Sequence, residues 1–202
     1  MSFPHFIHEH TAIAQGYVVC GIDEAGRGPW AGPVVAAAVV LDKKRMPKGL
    51  DDSKKLAERK REHLYQSIMA AARVGIGIVY AARIDEINIL QATFEAMQQA
   101  VKALDTPPTL ALVDGNRAPH LGFSTRTLVG GDAISLSIAA ASIIAKVTRD
   151  RIMRETHEKF PAYGFAAHKG YGTARHAEAL AKFGPCPEHR KSFKPIMDLL
   201  AH

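Results

Sequence analysis

Cysteine is scarce in this chain: Cys20 and Cys186 are the only two in 202 residues, and they form no C-x-x-C pair. A disulfide framework is therefore missing, and the two thiols read as reduced packing residues of a cytoplasmic protein. Long apolar runs are missing too. None approaches the length that spans a bilayer without charges or glycines. The N-terminus, MSFPHFIHEH, lacks the basic start and long apolar middle of a signal peptide. No internal repeat and no low-complexity linker interrupts the sequence. Charge of one sign is only mildly in excess, with 26 Lys and Arg against 20 Asp and Glu and a net charge of +6. Such a balance permits an anionic partner such as nucleic acid without requiring one. An apolar share of 47% excludes a disordered chain. The length suits one well-buried core.

What is present is an alternation of strands and helices. Residues 17–22 and 33–41 read as two strands of a hairpin around a glycine-rich turn, GIDEAGRGPWAGP. GLDDSKKL is a polar loop, and residues 58–72 have helical spacing. Residues 74–80 alternate as a strand, and Gly75 and Gly77 mark a face where a neighbour comes close. From 86 to 104, Ile87, Leu90, Phe94, Met97, Val101 and Leu104 recur in steps of three and four, an amphipathic helix that Pro107-Pro108 ends. TLALV is a buried strand, a shorter strand follows near 125–129, and a long helix starts at about Asp132. That helix is apolar nearly all round through Ile144, which predicts a place in the core. A last helix covers about 173–183. The order predicts an α/β fold, a mixed β-sheet flanked by helices on both faces.

Two apolar strands end in acids, Asp23-Glu24 and Asp114. Ligands favour the C-terminal edge of such sheets. If the strands are neighbours, their carboxylates meet, and Asp132 at a helix start could join them. Like charges held that close must keep a proton or take a cation. Oxygen-only ligands suit Mg²⁺ or Mn²⁺, and two ions about 4 Å apart would clamp the attacking and leaving oxygens of a phosphodiester. Each acid also has a plainer reading, as a turn residue or, for Asp132, as an N-cap. In a regular strand Asp23 and Glu24 point to opposite faces, so both ligate only if the backbone twists away there. The glycines of the turn serve either a tight hairpin or a close approach of backbone to ligand. Trp30 reads as a turn-packing aromatic.

The motifs GIDEAGRGPWAGPV, DDSKKL, LVDGN, GGDAISLSIAAASIIAKVTRD, HKGYGT and PCPEHRKSF occur in that order from about Tyr17 to Phe193. Together they resemble the ribonuclease HII family. The resemblance implies a ribonuclease H-like fold with a C-terminal helical extension. It implies a single catalytic domain over 1–202, with its core at about 17–160 and a substrate-binding part at about 161–202. It implies cleavage of RNA in RNA–DNA hybrids and incision 5′ to single ribonucleotides in duplex DNA, leaving a 5′-phosphate and a 3′-hydroxyl. One or two Mg²⁺ or Mn²⁺ ions would be held by Asp23, Glu24, Asp114 and Asp132. Gly26, Arg27 and Gly28 would read the 2′-hydroxyl through backbone groups, and Tyr171 would pack on the following sugar. Lys54, Lys55, Lys146 and Lys169 are candidate phosphate contacts, and His168 is a candidate for proton transfer. A cytoplasmic monomer without membrane contact is expected.

Two other readings stand beside this one. A DNA-junction or integrase-type nuclease of the same fold would cut all-DNA duplex, and a binding module with a structural ion would show no metal-dependent turnover. Trp30 stands where an aliphatic residue is usual in the family. Ala57 stands where a Ser or Thr helix cap is common, and Gly130 where some members carry Lys. The N-terminal segment with His5, His8 and His10 is expected to be a frayed tail.

Overall fold

The computed structural model describes residues 3–201. In chain order the elements are α1 (Ile7–Ala14), β1 (Val19–Ala25), β2 (Val34–Val40), α2 (Glu58–Ala71), β3 (Arg73–Val79), α3 (Ala81–Lys102), β4 (Leu110–Asp114), β5 (Ser124–Leu128), α4 (Leu136–Lys159), α5 (Phe165–His168), α6 (Ala174–Phe183) and α7 (Lys194–Leu200). The five strands form one mixed sheet in the order β3-β2-β1-β4-β5. β1, β2 and β3 pair antiparallel, and β4 and β5 add on in parallel. No helix among the described residues is long and apolar enough to cross a membrane.

The two faces of the sheet follow from strand alternation. On one face Val35, Ala37 and Val39 pack with α4 and α2; on the other Cys20, Ile22, Ala36 and Ala38 pack with α3. α4 approaches closely because its own residues there are small, Ala139, Ala140 and Ala141. A Cβ on Gly21 would run into the backbone of Ser137 and Ile138. Gly75 and Gly77 do the same for α3: a Cβ on either would collide with the carbonyl of Ala100 or Ala96. The close neighbour those glycines predict is thus the α3 backbone.

Several expectations change, among them that the helix at about 173–183 is the last, since α7 follows it. β1 runs through the acids rather than stopping before them, pairing Asp23 with Ala37 and Glu24 with Ala36. α4 begins at Leu136 behind the N-cap Ser135, and Asp132 sits before it in a one-turn 3₁₀ segment, Gly131–Ala133. Within α3 the helix restarts at Asn88, whose φ is 66° and whose Oδ1 accepts the N–H groups of Leu90 and Gln91. Ala57 does start α2 without a side-chain cap.

The N-terminal segment is not frayed. Glu9 on α1 is 1% exposed. Its Oε1 accepts the Ser135 hydroxyl at 2.5 Å and the Ser137 N–H at 2.9 Å, so α1 caps the start of the core helix. Nothing local in the sequence marks this pairing. Glu9→Ala should cost about 2–3 kcal/mol, since it strands buried donors. For a chain of this size that lowers the melting temperature by about 4–12 °C. A thermal melt checks it, and a drop below about 1 °C would mean that α1 does not anchor α4.

Candidate catalytic cleft

β1 and β4 are parallel neighbours, in register through Ile22 and Val113. Asp23 and Asp114 are the next residue on each strand, so the sheet itself delivers two carboxylates side by side. Both alternate onto the α4 face. Glu24 alternates onto the α3 face, where it borders a second hollow with Leu90, Phe94 and Met97. The backbone does not twist away here. Asp23 and Glu24 nevertheless line one cleft of about 270 Å³, because that cleft lies at the end of the sheet rather than on a face. Gly26, Arg27, Gly28, Lys54, Asp114, Lys146, Arg149 and Tyr171 share its wall.

The acids feel one another. Asp23 is 4% exposed. Burial first, then the charges of Glu24, Asp114 and Asp132, push its carboxyl well above the usual range. Glu24 is raised by burial, with the Arg27 guanidinium opposing. Asp132 is raised by burial, with Lys54 opposing. Each acid also holds a local partner. Asp23 Oδ1 accepts the Glu24 N–H at 2.7 Å, and Asp114 Oδ1 accepts the Gly131 N–H at 2.7 Å. Arg27 stands 3.5 Å from Glu24, and Lys54 Nζ donates to Asp132 Oδ2 at 3.2 Å. Asp132 lies behind the cleft wall, close enough for its charge to act on Asp23 and bonded to Lys54, which lines the cleft. Among the described residues no three His, Cys, Asp or Glu side chains are gathered tightly enough to enclose a metal ion as they stand. The donor set is nonetheless all oxygen, anionic and mutually repelling, which fits a hard divalent cation and not zinc.

The glycine-rich turn is built from behind by two buried arginines. Arg190 is 0% exposed and donates to the carbonyls of Gly26 at 2.5 Å, Arg27 at 3.0 Å, Pro29 at 2.8 Å and Gly32 at 2.9 Å. Arg149 is 1% exposed and donates to Pro33, Ala31 and Lys169 carbonyls at 2.9, 3.1 and 3.0 Å. Neither has a carboxylate partner among the described ion pairs, and burial lowers their pKa values to about 9 and about 10. In a trans peptide the N–H points opposite to the C=O. With the Gly26 and Arg27 carbonyls turned to Arg190, the N–H groups of Arg27 and Gly28 face away from it. Gly26 has φ 97°, and a Cβ there would collide with Arg149. Its glycine is therefore required both by conformation and by space.

Tyr171 faces this turn. A Cβ built on Gly28 would lie 3.8 Å from Tyr171 Cε1, and the tyrosine is 48% exposed. The two loops are joined directly: Trp30 N–H donates to the Gly170 carbonyl at 2.9 Å. The Trp30 ring fills the space that a Cβ on Gly172 would take. Trp30 is thus the packing residue that its sequence context suggests.

The candidate lysines separate. Lys54 and Lys146 line the cleft, Lys146 also pairing with Asp150 at 2.6 Å. Lys55 pairs with Asp51 at 3.7 Å. Lys169 is not brought to the cleft. Its backbone is left-handed, with φ 52°, and its ammonium is spent on the Ala166 carbonyl. His168 is also engaged elsewhere, its Nε2 2.7 Å from the Tyr163 carbonyl and its Nδ1 accepting the Gly170 N–H. Arg149 and Arg190 lie inside the quoted motifs, yet sequence reasoning gives them no role. Their partners are carbonyls, which no residue letter marks.

Residues 20–196 match the family described as ribonuclease HII. A ribonuclease HII of Burkholderia mallei (strain SAVP1) is 55% identical over 186 residues, covering 92% of this chain and 87% of that protein. The crystal structure of ribonuclease H2 from Pyrococcus horikoshii OT3 superposes with a TM-score of 0.75 at 28% identity, covering 90% of this chain and 96% of that one. The ribonuclease HII of Archaeoglobus fulgidus, solved in complex with PCNA, gives a TM-score of 0.75 at 30% identity and covers 87% and 95%.

Proposed function

This chain belongs to the ribonuclease HII family and is a ribonuclease H that degrades RNA in RNA–DNA hybrids, and from that premise we propose that it also incises duplex DNA 5′ to a single embedded ribonucleotide. The cut leaves a 5′-phosphate and a 3′-hydroxyl. The observation that carries this reading is the arrangement of the cleft, in which Asp23, Glu24 and Asp114 lie beside a glycine backbone that Tyr171 faces.

Each part has a chemical task. The 2′-hydroxyl is the group that tells RNA from DNA, and it both donates and accepts. The outward N–H groups of Arg27 and Gly28 meet it where a side chain at Gly28 would block the approach. The Tyr171 ring lies flat on the next sugar and disfavours a hydroxyl there. Lys54 and Lys146 hold phosphates. Asp23, Glu24, Asp114 and Asp132 would hold Mg²⁺ or Mn²⁺, in place of the contacts that Glu24 makes with Arg27 and Asp132 with Lys54. Bound as a pair, such ions would supply charge for the attacking water and for the leaving oxygen. The enzyme works as a monomer on these duplexes.

The test is incubation with three substrates, with and without Mg²⁺: a duplex carrying one ribonucleotide, a hybrid, and an all-DNA duplex. One metal-dependent cut 5′ to the ribonucleotide is expected, with the all-DNA duplex intact. Cutting of the all-DNA duplex, or metal-independent turnover, would overturn the reading.

A further inference from the structure

Behind Tyr171 lies a cluster that the cleft chemistry does not use. His176 on α6 and His189 in the loop before α7 are 0% and 1% exposed. His176 Nδ1 is 2.9 Å from the Tyr171 carbonyl, and its Nε2 is 2.9 Å from His189 Nε2. The Cys186 N–H donates to His189 Nδ1 at 3.0 Å, with the Cys186 Sγ 3.2 Å from the same nitrogen.

The Tyr171 carbonyl, 2.9 Å from its ring nitrogen, orders the protons in this chain, since the Cys186 carbonyl is farther, 3.3 Å from His189 Nδ1, than the Cys186 N–H at 3.0 Å. A carbonyl oxygen only accepts, so His176 carries its proton on Nδ1. A neutral imidazole protonated there has a bare Nε2, so His189 Nε2 must donate to it. His189 Nδ1 is then bare and accepts from Cys186. The direction is fixed from Cys186 through His189 and His176 to Tyr171. A second proton on His176 would set two N–H groups head to head at 2.9 Å, and one on His189 would oppose the Cys186 N–H at 3.0 Å. Burial, which lowers both pKa values and takes His189 to about 4, keeps the rings neutral. The rings are also clamped from the sides. His168 stacks on His176 at 4.6 Å, Trp30 lies at 5.3 Å, and Tyr163 meets His189 edge-on at 4.9 Å.

We propose that His176 and His189 are positioning residues for Tyr171, and that their one-way hydrogen-bond chain fixes its main chain so that the ring stands over Gly28. The pair then sets how sharply the enzyme separates a ribonucleotide junction from a continuous hybrid. This inference rests on the reading of Tyr171 as the group that packs on the sugar after the ribonucleotide.

Two substitutions at one site test it. An Asn amide reaches about as far as Nδ1 of histidine, and a Gln amide about as far as Nε2. His176→Asn keeps a donor for the Tyr171 carbonyl and gives up His189; His176→Gln does the reverse. His176→Gln should lose about three- to tenfold on the single-ribonucleotide duplex, the range of one hydrogen bond, and less on the hybrid. His176→Asn should keep the wild-type ratio of the two rates. If both variants lose equally on both substrates, in step with their thermal stability, the pair is packing only and the inference falls. The wild-type protein gives a second arm, long-range ¹H–¹⁵N NMR of the rings. A proton on Nδ1 of His176 and on Nε2 of His189 supports the chain, and the opposite tautomers overturn it even if the variants fail to fold. Tyr171→Ala, assayed alongside, separates the failures. Equal losses for Tyr171→Ala would remove the junction reading itself, whereas unequal losses there with equal losses for His176→Gln would remove only the positioning role.

Discussion

Asp23→Asn is expected to abolish cleavage, by about a thousandfold or more, while leaving the metal-free protein as stable as wild type or more so. The loss follows from removing one ligand charge from an ion asked to supply several kcal/mol of transition-state stabilisation. The stability follows from the burial of the acid. Asp23 is 4% exposed, and burial plus three neighbouring acids raise its pKa. A carboxyl raised above its unfolded value binds more protons in the folded state, so its cost appears as pH rises past the unfolded value of about 4. Asn has nearly the same shape and keeps an acceptor for the Glu24 N–H. The gain in the variant should therefore be small near pH 4 and grow toward pH 7, at about 2–4 °C of melting temperature per kcal/mol relieved. Melts in chelator from pH 4 to 8 measure this, and initial rates with Mg²⁺ measure the activity. Near-wild-type turnover, or a lower melting temperature at pH 7, would contradict the assignment of Asp23 as a ligand. Asp114→Asn should lose cleavage in the same way if its Oδ1 stays on the Gly131 N–H.

The convergence of Asp23 and Asp114 is legible in the sequence because it depends on strands alone. Each acid ends an apolar run, and parallel pairing of those runs brings the acids together. The placement of Asp132 is less legible. A glycine pair before a long apolar helix reads as a helix start, yet the chain makes a 3₁₀ turn and leaves capping to Ser135. What the sequence hides is of one kind. Arg149 and Arg190 spend their charge on carbonyls across the fold, Glu9 caps a helix more than a hundred residues away, and Lys169 turns inward on a left-handed backbone. In each case the partner is main chain, or lies far along it, and the residue letters read as ordinary solvated charge. Resemblance to a family nominates residues for the site. Only the geometry recovers that the glycine-rich turn and the tyrosine loop are one unit, tied by Trp30 and the Gly170 carbonyl.

That unit makes the consequence for Tyr171 specific. Tyr171→Ala is expected to cost on the order of 1–3 kcal/mol at a single ribonucleotide, by analogy with stacked bases, or roughly a tenfold to hundredfold slower cut. On a continuous hybrid the following sugar already carries a 2′-hydroxyl, so the ring makes a poorer contact and less is lost. The backbone should survive the change, because Tyr171 is held by its carbonyl and its neighbours: His176 bonds that carbonyl, and Gly170 and Gly172 are fixed by Trp30. A ring 48% exposed and set toward Gly28 also contributes little to the core. Tyr171→Phe keeps the ring face and should retain most activity on both substrates. Initial rates for both variants on both duplexes, with melting temperatures to confirm intact folds, decide the matter. Equal losses on the two substrates would mean that Tyr171 supports binding in general, and the discrimination would then have to reside in the Arg27 and Gly28 backbone alone.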